Sequence, residues 1–219
     1  MKRRELLKGI AAISASPILT SYALEGNLIL GKHDALIVVD VQNDFLPGGS
    51  LAVSDGDAVI PVINNCMKLS QAKGLPIYAT RDWHPADHCS FLENGGTWPE
   101  HCVAGSIGAQ FSEDLALPND VTIINKGTDK DKEAYSGFQD TDLSDQLHAK
   151  GIKRVIIGGL ATDYCVLNTV YDALTNDLDV VLLTNAIRAV NVNPGDGERA
   201  IESMMERGAE VHDGLILAD

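Results

Sequence analysis

The chain is predicted to fold as a three-layer α/β/α domain around a mostly parallel sheet of about six strands. Three features of its 219 residues point there. Short apolar runs alternate with helix-length segments. The runs are too continuously apolar for strands with one wet face, so they read as strands buried on both sides. Four of them end in residues able to do chemistry. Ala35–Val39 leads into Asp40, and Leu75–Ala79 into Arg81-Asp82-Trp83-His84. Val121–Ile124 leads into Asn125-Lys126, and Arg154–Ile157 through a Gly158-Gly159 turn to Cys165. In open α/β sheets, ligands sit at the carboxyl ends of the strands, so a carboxylate, a metal-ligand pair, an ammonium and a thiol would meet at one edge.

Each element follows from the local pattern. Residues 35–40 form the first strand. A helix is expected from about Asp57 to Lys73, with Ser54 and Asp55 as cap candidates and Gly74 as its stop. Leu75–Thr80 is the second strand. Residues 81–118 are rich in Pro, Gly, His and Trp without a clear period, and an irregular stretch of that length in one domain is usually functional. Val121–Asn125 is the third strand, followed by a loop over Gly127–Asp140 and a helix over 142–150. Arg154–Gly158 is the fourth strand. Asp163–Asn176 is a helix with Val166, Val170, Tyr171 and Leu174 on its apolar side. Asp179–Thr184, a helix over Gly197–Arg207, and the short strand Glu210-Val211 complete the set.

The first 23 residues stand apart from this pattern. Lys2, Arg3, Arg4 and Lys8 make a basic start containing an Arg-Arg pair. A short, mildly apolar stretch from Gly9 to Leu19 follows, and Ser21-Tyr22-Ala23 supplies small residues for cleavage. Arg-Arg-x-Leu-Leu-Lys resembles a twin-arginine export signal, which carries folded proteins out of the bacterial cytoplasm. An amphipathic first helix is the alternative, but Pro17 and the lack of helical period oppose it. The stretch is also too short to span a bilayer. The expectation is a signal peptide over 1–23, a single domain over 24–219, contact with the twin-arginine machinery during export, and a periplasmic location. Export after folding would let a metal be loaded in the cytoplasm.

Without those 23 residues the chain carries 13 Lys+Arg against 30 Asp+Glu, a formal charge of −17. Such a surface repels phosphate backbones and anionic membranes and argues against a nucleic-acid partner. Of the four cysteines, Cys66 falls mid-helix among apolar residues and reads as a buried thiol. Cys89 and Cys102 share one loop and could pair in an oxidising compartment.

Cys165 begins a helix, where unpaired amides stabilise a thiolate and can also face a developing oxyanion. Alone, such a cysteine is more often an ordinary buried residue. Asp40 ends a fully apolar strand, where a carboxylate is costly without a partner or a task, and it could take and return the thiol proton. Lys126 could hold Asp40 ionised and keep the thiolate in place. A plain buried salt bridge is the competing reading of Asp40 and Lys126. Asp82 and His84 are two apart and share a side of an extended segment. His88 and His101 follow in the same loop, and two imidazoles with one carboxylate suit Zn, Fe(II) or Mn(II), the competing reading being a polar loop with exposed histidines. His33, His148 and His212 are expected on the surface.

These residues carry a resemblance. Asp40-Val-Gln-Asn-Asp-Phe45-Leu-Pro-Gly-Gly-Ser-Leu-Ala-Val53 is similar to the opening motif of bacterial nicotinamidases, within the isochorismatase-like cysteine hydrolases. Further matches are Arg81-Asp82-Trp83-His84-Pro85, Trp98-Pro99-Glu100-His101-Cys102-Val103, Ala134-Tyr135-Ser136-Gly137-Phe138 and Gly159-Leu160-Ala161-Thr162-Asp163-Tyr164-Cys165-Val166. They occur in family order over nearly the whole chain after residue 23. The resemblance implies Asp40, Lys126 and Cys165 as a catalytic triad. It implies Asp82, His84 and His101 as ligands of a metal that holds the pyridine nitrogen, a site that isochorismatases lack.

In some relatives a fourth residue ligates, for which His88 and Glu93 are the candidates, His88 slightly favoured. Phe45, Trp98 and Tyr135 match positions lining an aromatic slot. Leu160-Ala161 matches a peptide that is cis in the family, which would turn the Ala161 amide toward the oxyanion beside that of Cys165. The implied reaction converts nicotinamide to nicotinate and ammonia through a thioester. The family is mostly cytoplasmic and serves NAD recycling, so an export leader is a departure. Two competing readings are a related cysteine amidohydrolase acting on another small amide or a carbamoyl compound, and a periplasmic protein that binds metal or nicotinamide without turnover. Assembly into a homo-oligomer is left open.

Overall fold

β1 (Asp34–Val39) is buried at every position, so it needs a neighbour on each edge and apolar cover on each face. It lies parallel between β2 (Ile77–Asp82) and β4 (Arg154–Leu160), with Leu36 opposite Ile77 on one side and Ile156 on the other. β2 pairs onward with β3 (Thr122–Lys126). β4 pairs with β5 (Asp179–Arg188), and β5 with β6 (Glu210–His212). The six-stranded sheet has the order β3-β2-β1-β4-β5-β6 and every pairing is parallel. The computed structural model describes residues 28–214; the leader expected at 1–23 lies outside the described residues. Among the described residues no helix is long and apolar enough to cross a membrane.

Alternation along the strands divides the core into two layers. Leu36 and Val38 of β1 pack with Ile63 and Met67 of α1 (Val59–Ala72). Ala35, Ile37 and Val39 face the other way. There they meet Leu143 and Leu147 of α2 (Leu143–Ala149), Val170 and Ala173 of α3 (Leu167–Thr175), and Ala200 and Met204 of α4 (Asp196–Glu206). One helix on one face and three on the other give the expected three-layer α/β/α arrangement.

The strand order places the site. The chain builds outward from β1 through β2 to β3, then returns to start β4 on the opposite edge of β1. The crevice between the carboxyl ends of β1 and β4 is therefore the topological switch point, where open α/β sheets bind ligands. Asp40 follows β1 and Cys165 lies five residues beyond β4, so the two flank that crevice.

Several boundaries differ from expectation for identifiable reasons. The helix expected from Asp57 starts as a 3-10 turn over Gly56–Ala58, and Asp55 makes no side-chain cap bond. β2 runs past Thr80 because Arg81 and Asp82 still pair with Asn125 and Lys126 of β3. β5 continues beyond Thr184 to Arg188, since a register shift at Ile157/Gly159 lets Ile187 pair with Gly159. Polar Thr184 and Asn185 looked like a strand end, yet their side chains are taken up by Asp213 beside β6. The helix expected from Asp163 opens with one π turn, Thr162–Val166. His212, expected at the surface, is buried at the end of β6.

Candidate active site

The site begins with how the chain leaves β1. Asp40 adopts a left-handed backbone (φ 50°) and is fully buried, a conformation that Asp tolerates better than most residues. Its Oδ1 accepts a 2.6 Å hydrogen bond from Thr80 Oγ1 of the neighbouring strand. Lys126 Nζ lies 2.9 Å from Oδ2 as a buried ion pair. Lys126, at the end of β3, also donates to Asp82 Oδ1 and to Cys165 Sγ, the latter at 3.4 Å. An ammonium has three protons and no acceptor, and here it faces two carboxylates and a thiol. All four groups are buried.

Cys165 sits in the π turn after β4, whose Val166 amide reaches back to the Ala161 carbonyl at 3.1 Å. The Leu160–Ala161 peptide is cis. Gly159 must be glycine at this crossing: a Cβ there would come 2.0 Å from the Val39 carbonyl oxygen. Donor atoms of Asp40, Asp82 and Cys165 lie within 4.8 Å of one another. Lys126 contacts all three, which leaves that set no room for a cation of its own.

The second cluster comes from the long irregular segment. A parallel bridge joins His84 to Val103: the His84 amide donates to the Cys102 carbonyl, and the Ala104 amide donates to the His84 carbonyl. This fold-back sets the His84 and His101 rings edge to face at 5.1 Å. His84 Nδ1 meets the Gly127 carbonyl at 2.8 Å, and His101 Nδ1 meets the Pro99 carbonyl at 2.8 Å. A carbonyl only accepts, so both Nδ1 atoms carry a proton, which leaves Nε2 of each ring as the atom able to ligate. That is the tautomer metal-binding histidines take when a backbone acceptor orients them. With Asp82 they form a group of buried donors within 4.8 Å of one another, and its chemistry suits one divalent transition metal.

His88 and Glu93 do not join this set. His88 stacks on the His84 ring at 4.1 Å, but its Nδ1 pairs with Ser90 Oγ and its Nε2 with the Lys132 carbonyl. Glu93 is exposed on a short 3-10 turn. Cys89 and Cys102 are both free thiols, not a disulfide, and Cys102 is buried.

Electrostatics separates the two carboxylates. Burial raises the Asp40 carboxyl above its usual range, and the Lys126 charge offsets this only in part. Burial would raise Asp82 as well, but Lys126, His84 and His101 together hold it below the usual range. Asp82 is therefore suited to hold a cation and Asp40 to carry a proton. Burial pushes the Cys165 thiol well above its usual value, against the pull of Lys126.

One pocket joins the clusters. Phe45, Trp98 and Tyr135 line it, together with Asp82, His84, His101, Ala161 and Cys165. Trp98 Nε1 donates to the Tyr135 hydroxyl at 3.1 Å, and Tyr164 packs edge-on to Trp98 with centroids 4.9 Å apart. Sequence reasoning missed Leu51, Glu133, Tyr164 and Val190 on the wall, Thr80 beneath Asp40, and Gln42. Gln42 is fully buried: its Oε1 accepts from the Asp82 amide, and its Nε2 donates to the carbonyls of Asp82 and Ala109. Its place two residues after Asp40, in the same apolar surroundings, was the available signal.

Comparison with known proteins agrees with this geometry. The isochorismatase domain family model matches residues 34–214. A nicotinamidase of Escherichia coli K12 is 38% identical over 199 residues, covering 81% of this chain and 93% of its own. The solved pyrazinamidase of Pyrococcus horikoshii in complex with zinc superposes with a TM-score of 0.79 at 50% identity, covering 82% of this chain and 98% of its own. A protein from L. infantum in complex with nicotinate gives a TM-score of 0.79 at 34% identity, covering 88% and 100%. The chain belongs to the isochorismatase domain family, among its amidohydrolases and beside the nicotinamidases.

Proposed function

We propose that the chain is a metal-dependent nicotinamidase that hydrolyses nicotinamide to nicotinate and ammonia through a thioester on Cys165. The observation that carries this reading is one buried ammonium, Lys126, touching Asp40, Cys165 and the carboxylate Asp82, of which Cys165 and Asp82 line a single aromatic-walled pocket. The E. coli relative is a nicotinamidase, and the L. infantum neighbour was solved with nicotinate.

The pyridine ring would lie in the slot of Phe45, Trp98 and Tyr135. A divalent metal, Zn, Fe(II) or Mn(II), held by Asp82, His84 and His101 would supply an electrophilic anchor for the ring nitrogen. Asp40 takes the thiol proton as Cys165 Sγ attacks the carboxamide carbon. The backbone amides of Ala161 and Cys165 receive the developing oxyanion. Asp40 then gives its proton to the departing nitrogen, the C–N bond breaks, ammonia leaves and the acyl group stays on sulfur. Water, deprotonated by Asp40, attacks the thioester carbon. The C–S bond breaks, the thiol regains a proton and nicotinate is released. Lys126 keeps Asp40 charged between steps and fixes the sulfur's position.

We also propose export by the twin-arginine route through residues 1–23, to a periplasmic site of action. Sequencing the N-terminus of the mature protein tests it.

The test of the reaction is ammonia release from nicotinamide by metal-replete protein, run beside Cys165→Ala. Release that depends on the thiol supports the reading. Absence of release, with metal bound and the thiol reduced, overturns it.

A further inference from the structure

The pocket wall contains a carboxylate that the reaction above does not use. Glu133 lies in the loop between β3 and α2, is partly buried and lines the same pocket as Cys165. The other acidic residue on the wall, Asp82, is balanced by Lys126 and the two histidines. Glu133 has no such balance: it makes no ion pair among the described residues. The neighbouring Lys130 and Lys132 are directed to Asp131, Asp129 and Asp140. Its Oε2 accepts a 3.3 Å hydrogen bond from the Tyr135 hydroxyl, which in turn accepts from Trp98 Nε1. A net negative charge is thus tethered to the aromatic wall by two hydrogen bonds.

We infer that Glu133 is a specificity-determining residue that makes the pocket discriminate by charge, admitting neutral carboxamides and disfavouring carboxylates, the product included. The inference rests on the proposed hydrolysis, in which a neutral amide becomes an anion in place. An unpaired like charge on the wall of the same pocket, partly screened by water, weakens an anion by about three- to tenfold and leaves a neutral isostere nearly untouched. The same group would favour release of the acid and limit product inhibition. Tyr135 holds the carboxylate against the wall, and Trp98 holds Tyr135.

The experiment is calorimetric titration of nicotinate and of nicotinamide into metal-loaded Cys165→Ala protein, with and without Glu133→Gln. The inactive background lets the amide be measured without turnover. The expected result is a rise of about three- to tenfold in nicotinate affinity relative to nicotinamide, shrinking as salt is added. Glu133→Ala should give the same ratio. Tyr135→Phe, which keeps the charge and cuts the tether, should move the ratio less than either. An unchanged ratio, or equal shifts for both ligands, would overturn the charge role. Turnover of nicotinamide by the wild type is measured in parallel. Failure there sinks the proposed reaction, whereas turnover with an unchanged ratio sinks only the inference about Glu133. Binding of neither ligand would overturn both.

Discussion

Lys126 donates to Asp82 while lying 2.9 Å from Asp40, so one ammonium belongs to both the thiol cluster and the proposed metal-ligand set. Removing its charge leaves two carboxylates buried in apolar surroundings with no cation between them. Breaking a buried pair from one side costs about 3–5 kcal/mol. Lys126→Met should therefore lower the melting temperature sharply as well as abolish turnover. Added divalent metal should restore part of the lost stability, because it supplies charge beside Asp82. Thermal melts with and without metal check this, and a metal-independent loss would show that Asp82 does not depend on Lys126.

The acid limb of the rate profile should report on Asp40. As the proposed base it must be ionised, and burial raises its pKa above the ordinary carboxylate range. Activity should therefore be present above that raised value and fall as pH drops through it. The Thr80 hydroxyl stabilises the ionised form through its 2.6 Å bond to Oδ1. Thr80→Val removes that donor, so the limb should move to higher pH. Profiles of kcat/KM against pH for the two proteins decide the point, and an unmoved limb would assign it to another group.

Gln42 braces Asp82 through both the amide and the carbonyl of that residue. Gln42→Met keeps the bulk and strips out all three hydrogen bonds. Partners that orient metal ligands typically matter by about ten- to a hundredfold in affinity, and metal binding should weaken by that order. The buried backbone groups left unpaired should cost a further 1–3 kcal/mol or about that in stability. Competition against a chelator measures the first and denaturant unfolding the second. Normal affinity in a destabilised variant would make Gln42 a plain packing residue.

What was legible in the sequence was whatever a strand end reveals. Asp40, Lys126 and Cys165 each follow an unmistakable apolar run, and parallel strands must gather such ends at one edge. The π turn at Thr162–Val166, the continuation of β2 to Asp82 and the tether of Glu133 were not legible. Each depends on pairings between residues distant in the chain or on backbone geometry that no period encodes. The amides of a helix start can be read locally, whereas the burial of Cys165 is a property of the assembled pocket.

The last prediction concerns the ligand count. His84, His88 and His101 lie in one segment, and by residue type any of them could ligate. Hydrogen bonding separates them. His84 and His101 each spend Nδ1 on a backbone carbonyl and leave Nε2 on the side of Asp82 to ligate, whereas His88 has both nitrogens engaged, by Ser90 and by the Lys132 carbonyl. His88→Ala should therefore still bind one metal per chain. Affinity should weaken only as far as loss of the stacked ring loosens His84, which it meets at 4.1 Å. His101→Ala should lose the metal at the same concentration, because a carboxylate and one imidazole make an incomplete shell. Elemental analysis after gel filtration reads both. Loss of metal from His88→Ala with His101→Ala still loaded would mean that the loop rearranges to bring His88 in, and the ligand set would have to be redrawn around it.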